Sequence, residues 1–251
     1  MAVGFDASSE SHTGTTGSTS QASFSWSHSG GTPKGVLVFT FVNADADDAT
    51  GVTYGGVSLT AVSGGRAVDT TGEPRECKAW FLGSSIPTGT QTVEVTRNNN
   101  SNEMYAAAIT VTAASDKDTA VHEAGILLTQ ADQGISVRNP TDGSPGTNSM
   151  RFAAINSAIN TYSTTLPSTL TMGILYVNTF FSTALQHIDF GNNVIGVVRE
   201  TTAGQGARNI GWTSMDNDDV AAVYLAVKEV TAAPSTSIKD LIGVGIIPFR
   251  R

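Results

Sequence analysis

The segment Gly51-Val52-Thr53-Tyr54-Gly55-Gly56-Val57-Ser58-Leu59-Thr60 reads as a β-hairpin closed by two glycines. A two-residue hairpin turn needs positive φ at its centre, which glycine adopts without steric cost. With Gly55-Gly56 as the loop, Tyr54 falls opposite Val57 and Val52 opposite Leu59 on one face, while Thr53 and Ser58 share the other. Apolar side chains on one face and hydroxyls on the other predict an antiparallel pair buried on one side. The pattern also pins the register, because a slip of one residue would turn every apolar side chain into water.

The same logic extends in both directions. Phe24, Trp26 and His28 alternate with Ser23, Ser25 and Ser27, the period of a strand. Residues 35–42, Gly-Val-Leu-Val-Phe-Thr-Phe-Val, are apolar on both faces, as in a central strand covered on both sides. Further on, Trp80 and Leu82 share one face with Phe81 on the other, and Val93 and Val95 alternate with Thr92, Glu94 and Thr96. The small residues Ala106, Ala107 and Ala108 mark a strand over which something packs closely. Residues 63–74 read as a Gly-rich loop and 97–102 as a polar one. Short strands are predicted at 124–129 and 134–137, and again at 169–177, 184–190, 194–199, 210–214 and 220–230. Phe152, Ile155 and Ile159, spaced by three and four, predict a short helix over 150–160.

A succession of short strands separated by turns, without alternating helices, predicts an all-β protein: an antiparallel β-sandwich or jelly roll. Residues 1–230 form this domain, with a flexible Ser/Thr/Gly-rich segment at 7–21. Residues 231–251 are a linker and an extended apolar C-terminal tail.

Composition fits that class. Charged residues are only 14% of the 251, and the net charge of −8 argues against a nucleic-acid surface, which would show basic stripes. Cys77 is the single cysteine, so no intrachain disulfide forms, and its strand context predicts a small buried hydrophobe. The opening Met1-Ala2-Val3-Gly4-Phe5-Asp6 lacks the basic and long apolar regions of a secretory signal, and no run is long enough to cross a bilayer. The expectation is a soluble protein made in a cytoplasm, with no membrane partner.

No catalytic motif emerges. His12, His28, His122 and His187 match no metal-ligand spacing. The acidic groups Asp45, Asp47, Asp48 and Asp216, Asp218, Asp219 lie on loops without calcium-loop spacing, and read as solvated turns. Glu76, Glu94, Glu103 and Glu123 would serve glycoside hydrolysis only if folding paired them. Gly204-Gln205-Gly206-Ala207 lacks the Lys and Ser/Thr of a phosphate loop. No cofactor and no metal is expected. Among the tryptophans, Trp26 and Trp80 read as core, and Trp212 is the candidate for an exposed glycan contact.

The tail carries Ile238, Leu241, Ile242, Val244, Ile246, Ile247 and Phe249 and closes on Arg250 and Arg251. An exposed apolar tail of this kind either grips a neighbouring surface or packs on its own domain.

Phe5-Asp6-Ala7-Ser8-Ser9, the Phe24/Trp26/His28 strand, the Gly51–Thr60 hairpin, Ala79-Trp80-Phe81-Leu82, Pro87-Thr88-Gly89-Thr90 and Ala221-Ala222-Val223-Tyr224-Leu225 occur in an order that resembles a family of β-sandwich (jelly-roll-like) virion surface proteins of tailed bacteriophages. The resemblance covers most of residues 1–230, with 115–167 matching poorly, and its motifs are structural. It implies a capsid decoration (cement) protein on the virion surface, without enzymatic activity. Its partners would be the major capsid protein and neighbouring copies of itself, as a trimer. In that role Ile238, Leu241, Ile242, Val244, Ile246, Ile247, Phe249, Arg250 and Arg251 are the partner-binding residues. The alternative is a tail- or fibre-associated protein reading host glycans through Trp212.

Overall fold

The computed structural model describes residues 3–6, 11–15, 22–44, 46–70, 72, 74–98, 102–112, 121–133, 150–157, 170–177, 194–200 and 218–227. Every regular element among them is a strand, and all pairings are antiparallel. The strands are β1 (Gly4–Phe5), β2 (Ser11–Thr15), β3 (Ser23–His28), β4 (Gly35–Val42), β5 (Ala49–Tyr54), β6 (Val57–Ser58), β7 (Thr60–Asp69) and β8 (Arg75–Leu82). They continue as β9 (Gln91–Arg97), β10 (Met104–Thr112), β11 (Val121–Gln133), β12 (Met150–Ser157), β13 (Leu170–Val177), β14 (Val194–Glu200) and β15 (Asp218–Val227).

Three sheets stack. The middle one has six strands in the order β1-β10-β4-β8-β7, with β2 also on β10. A four-stranded sheet, β3-β9-β5-β6, covers one face, and a five-stranded sheet, β11-β15-β12-β14-β13, covers the other. This explains why β4 is apolar on both faces. Val36, Val38 and Val42 enter one core with Tyr54, Val93 and Val95, while Leu37, Phe39 and Phe41 enter the other with Phe152, Val197 and Val223. Thr40, the polar residue of the strand, is fully buried and accepts a 3.1 Å hydrogen bond from Trp80 Nε1. The alanines of β10 divide between the two cores, Ala106 and Ala108 into one and Ala107 into the other.

The hairpin forms with the predicted register. Thr53 pairs with Ser58 and Tyr54 with Val57, and Leu59 N–H donates to Val52 O at 2.8 Å. Gly55 and Gly56 have φ of 55° and 80°, the positive values that the turn requires. Val52, Tyr54 and Leu59 are buried, Val57 is half-buried against the same core, and Ser58 is exposed.

Three expectations are corrected. Residues 150–160 hold no helix over their described part: Met150–Ser157 is β12, bonded on both sides to β14 and β15. Met150, Phe152 and Ala154 enter the core between the middle and five-stranded sheets, and Ile155 and Asn156 are fully buried as well, so burial on both faces left no clean alternation to set against the Phe152–Ile155–Ile159 spacing. The Gly-rich stretch 63–74 is largely strand, since Arg66–Asp69 pair with Lys78–Arg75 after a bulge between Ala61 and Arg66. Within the segment read as flexible, Ser11–Thr15 pair with Met104–Ala108 and continue the edge that Gly4 and Phe5 begin. The strands expected at 134–137, 184–190 and 210–214 lie outside the described residues.

Candidate functional site

Two polar clusters stand out from the apolar stack. The first joins the N-terminal edge to the four-stranded sheet. Ser11 Oγ and His28 Nδ1 share a 2.5 Å hydrogen bond, and Trp26 Nε1 donates to the same oxygen at 2.9 Å. His28 is fully buried and packs edge-on against Tyr54, with ring centroids 5.9 Å apart. Burial pushes its imidazole down to about 4, against the opposing pull of Asp6. Asp6 Oδ2 in turn accepts the backbone N–H of Gly31 at 2.9 Å. A hydroxyl bonded to a neutral imidazole is the geometry of a nucleophile and its base. Here the hydroxyl is also held by an indole and the ring is sealed in the core, so the arrangement works as a clasp between β2 and β3.

The second cluster lies where the loop between β4 and β5 folds over the middle sheet. Glu76 and Lys78, two apart on β8, share the face that carries Trp80. Lys78 Nζ donates to Asp47 Oδ1 at 2.7 Å and to Ala49 O at 3.2 Å, and lies 4.5 Å from the centre of the Trp80 ring. Arg66, delivered by the bulge in β7, donates from Nη2 to Glu76 Oε2 at 2.8 Å, and its Nε lies 3.9 Å from Asp47 Oδ2. The Glu76 side chain is 0% exposed, against 49% for Asp47 and 38% for Arg66. Burial pushes the Glu76 carboxyl up to about 7, opposed by its hydrogen bond to Arg66. Its Oε1 has no hydrogen-bond partner among the described residues. From the five-stranded sheet, Asn156 Nδ2 donates to the backbone oxygens of both Val42 and Glu76 at 3.0 Å.

The loop is fastened on its other side too. Asp48 Oδ2 accepts Asn102 Nδ2 at 2.6 Å, and Asp48 O accepts the backbone N–H of Asn98 at 2.7 Å. Glu103 accepts from Asn43 Nδ2 and from the Tyr105 hydroxyl. Arg97 is buried beside them and donates from Nη2 to Asn102 O.

The structure places several of the candidates. The Asp47 and Asp48 carboxylates take different partners, Lys78 with Arg66 and Asn102, and no group of metal-ligating residues occurs among the described residues. Asp45 and Asp216 lie outside the described residues, and Asp218 and Asp219 open β15. Of the four glutamates, Glu76 and Glu103 are buried in separate networks, while Glu94 is exposed on the four-stranded sheet between Ser25 and Thr53. Glu123, His12 and His122 sit on described strands, and His187 lies outside them. Cys77 is fully buried, as expected, and burial pushes its thiol well up. Trp80 is core, and Trp26 is half-buried and stacks on Phe24 at 6.3 Å.

The proposed partner-binding residues Ile238, Leu241, Ile242, Val244, Ile246, Ile247, Phe249, Arg250 and Arg251 lie outside the described residues, as does Trp212. Sequence reasoning missed Ser11, Arg66 and Asn156. Ser11 sits in a wholly polar strand, Arg66 follows a bulge, and Asn156 reaches its partners across 80 and 114 residues of chain. No helix among the described residues is long and apolar enough to cross a membrane. No protein-family model matches the chain, and no curated protein or solved structure matches it either.

Proposed function

We propose that this chain is a structural attachment protein of the capsid-decoration kind, working by adhesion and not by catalysis. The observation that carries this reading is the middle sheet, sealed on both faces by other sheets, with its β4–β5 loop tied down by Lys78, Arg66, Asn102 and Asn98. A close-packed stack of this kind resists deformation and transmits strain between its surfaces, the property needed in a part that bridges subunits of a shell. The order of structural motifs in the sequence supports the same assignment.

In this reading the β stack stands on the virion surface. The residues from Ile238 to Arg251 lie in seams between capsid subunits, burying apolar side chains and setting Arg250 and Arg251 against acidic groups. Specific interfaces bury on the order of 1,200–2,000 Å² in total. A trimer would multiply modest contacts into lasting attachment. The experiment compares the full chain with a variant ending at Val230 for binding to undecorated particles by co-sedimentation. Full-length protein is expected to pellet with particles and the shortened chain to stay in the supernatant. Equal binding by both would remove the tail from the mechanism, and binding by neither would remove the decoration role.

A further inference from the structure

We propose that Lys78 and Asp47 condense into an intramolecular isopeptide bond, with Glu76 carrying the protons and Arg66 polarising the carboxyl group. An ordinary ion pair needs only the ammonium and the carboxylate. This one has beside it a fully buried glutamate whose Oε1 is without a partner among the described residues, and an arginine that reaches both acids. The nucleophile is within reach and needs only a turn of the half-exposed Asp47 carboxyl to meet its face. A 2.7 Å hydrogen bond from Nζ to Oδ1 sets the nitrogen about 3.5 Å from Asp47 Cγ, the separation from which attack proceeds. Lys78 is steered there by Ala49 O and the Trp80 ring, and its side chain is only 12% exposed.

The chemistry balances without any other reactant. Moving one proton along the Lys78–Asp47 hydrogen bond turns the ion pair into a neutral amine and a carboxylic acid. The Nζ lone pair attacks Cγ, and the negative charge that develops on Oδ2 faces the Arg66 guanidinium, now 3.9 Å away at Nε. Glu76, close enough for its carboxyl to feel the charges of both Asp47 and Lys78, acts through one bridging water: its acid form protonates the departing hydroxyl, and its carboxylate then takes the surplus proton from nitrogen, which restores the acid. One C–N bond forms, one C–O bond breaks, and one water leaves. A carboxyl held at about 7 has both forms available near neutrality, as the two transfers require. The product joins the β4–β5 loop to β8 across 31 residues of chain and restricts the unfolded ensemble as any cross-link does.

Mass spectrometry of the purified full chain, incubated folded near neutral pH and then digested with trypsin, tests the proposal. The expected product is one fragment in which residues 35–66 are joined to 76–97, lighter than the sum of its parts by one water and uncut after Lys78. Asp47→Asn is expected to give the same joined fragment by losing ammonia, and Lys78→Arg to give none. Glu76→Gln is expected to slow joining by about 10²-fold or more, the contribution of general acid–base catalysis, while circular dichroism reports that the variant is folded. Separate 35–66 and 79–97 peptides from the incubated wild-type protein would overturn the proposal. So would a joined fragment from Lys78→Arg, and an undiminished rate in folded Glu76→Gln would remove the glutamate from the mechanism.

Discussion

Replacing Glu76 by Gln is expected to change how stability depends on pH more than it changes stability at any one pH. Two buried groups titrate in opposite senses in this protein. Burial holds Glu76 at about 7 against an ordinary 4.5, and His28 at about 4 against an ordinary 6.5. Between pH 4.5 and 7 the folded chain holds more protons at Glu76 than the unfolded chain does. Its contribution is therefore fully present below pH 4.5 and is lost as pH rises through 7. At His28 the unfolded chain binds the extra proton, so that contribution is present above pH 6.5 and is lost as pH falls through 4. At about 1.4 kcal/mol per pH unit of displacement, each group accounts for roughly 3 kcal/mol. Both side chains are fully buried, so solvent screening does not erode these figures much.

In the wild-type protein the two slopes oppose each other across the overlap from pH 4.5 to 6.5, and their sum is nearly flat there. Glu76→Gln fixes a neutral side chain at the acid position and leaves the half-exposed Arg66 hydrated. Its unfolding free energy should then rise by roughly 3 kcal/mol from pH 4 to pH 6.5, with His28 unopposed. His28→Asn should give the mirror image, falling as pH rises from 4.5 to 7. Urea denaturation followed by tryptophan fluorescence at a series of pH values measures both, and the comparison rests on slopes, so a constant offset between variants does not enter. Parallel curves for the wild-type protein and Glu76→Gln would refute the burial argument for the carboxyl.

Other substitutions probe the stack directly. Asn156→Ala removes the amide that spans Val42 O and Glu76 O, and chemical denaturation should show a loss of about 1–3 kcal/mol for buried polar groups left unpaired. At the hairpin, a Cβ on Gly55 would meet Gln91 Oε1 at 2.5 Å and Pro87 Cγ at 2.9 Å, whereas one on Gly56 would meet nothing within 4 Å. Gly56→Ala should therefore cost only the positive-φ strain of about 1 kcal/mol, and Gly55→Ala distinctly more in the same thermal melt. Ala107→Leu forces a larger side chain between the middle and five-stranded sheets and should destabilise by about 1–3 kcal/mol. A neutral result there would mean that the sheets do not close on each other.

The parts of the fold legible in the sequence are those where burial and periodicity agree. The Gly55-Gly56 hairpin declared its own register, the two-sided apolar run of β4 announced a covered central strand, and Ala106 to Ala108 announced the close layer above it. Elsewhere the strand is imposed by a neighbour. Ser11-His12-Thr13-Gly14-Thr15 contains no apolar residue, and it is a strand because β10 offers it an unpaired edge. The bulge between Ala61 and Arg66 broke the alternation of β7 and disguised it as a glycine-rich loop. The charged cluster was illegible for a different reason: Asp47, Arg66, Glu76 and Lys78 meet only after β4, β7 and β8 have paired, and no short-range spacing encodes that meeting.

That dependence on prior pairing bears on what the cluster can do. Because β4 and β8 must register before Glu76 is buried, the raised carboxyl exists only in the folded chain, and with it the proton carrier for condensation. The unfolded polypeptide would hold Glu76 near its ordinary 4.5, ionised at neutral pH and useless as an acid. Any bond between Lys78 and Asp47 must therefore follow folding and lock a register already reached, so it cannot trap a misfolded one. The chain first folds reversibly through ordinary packing, and the charged end then turns a correct fold into a fastened one.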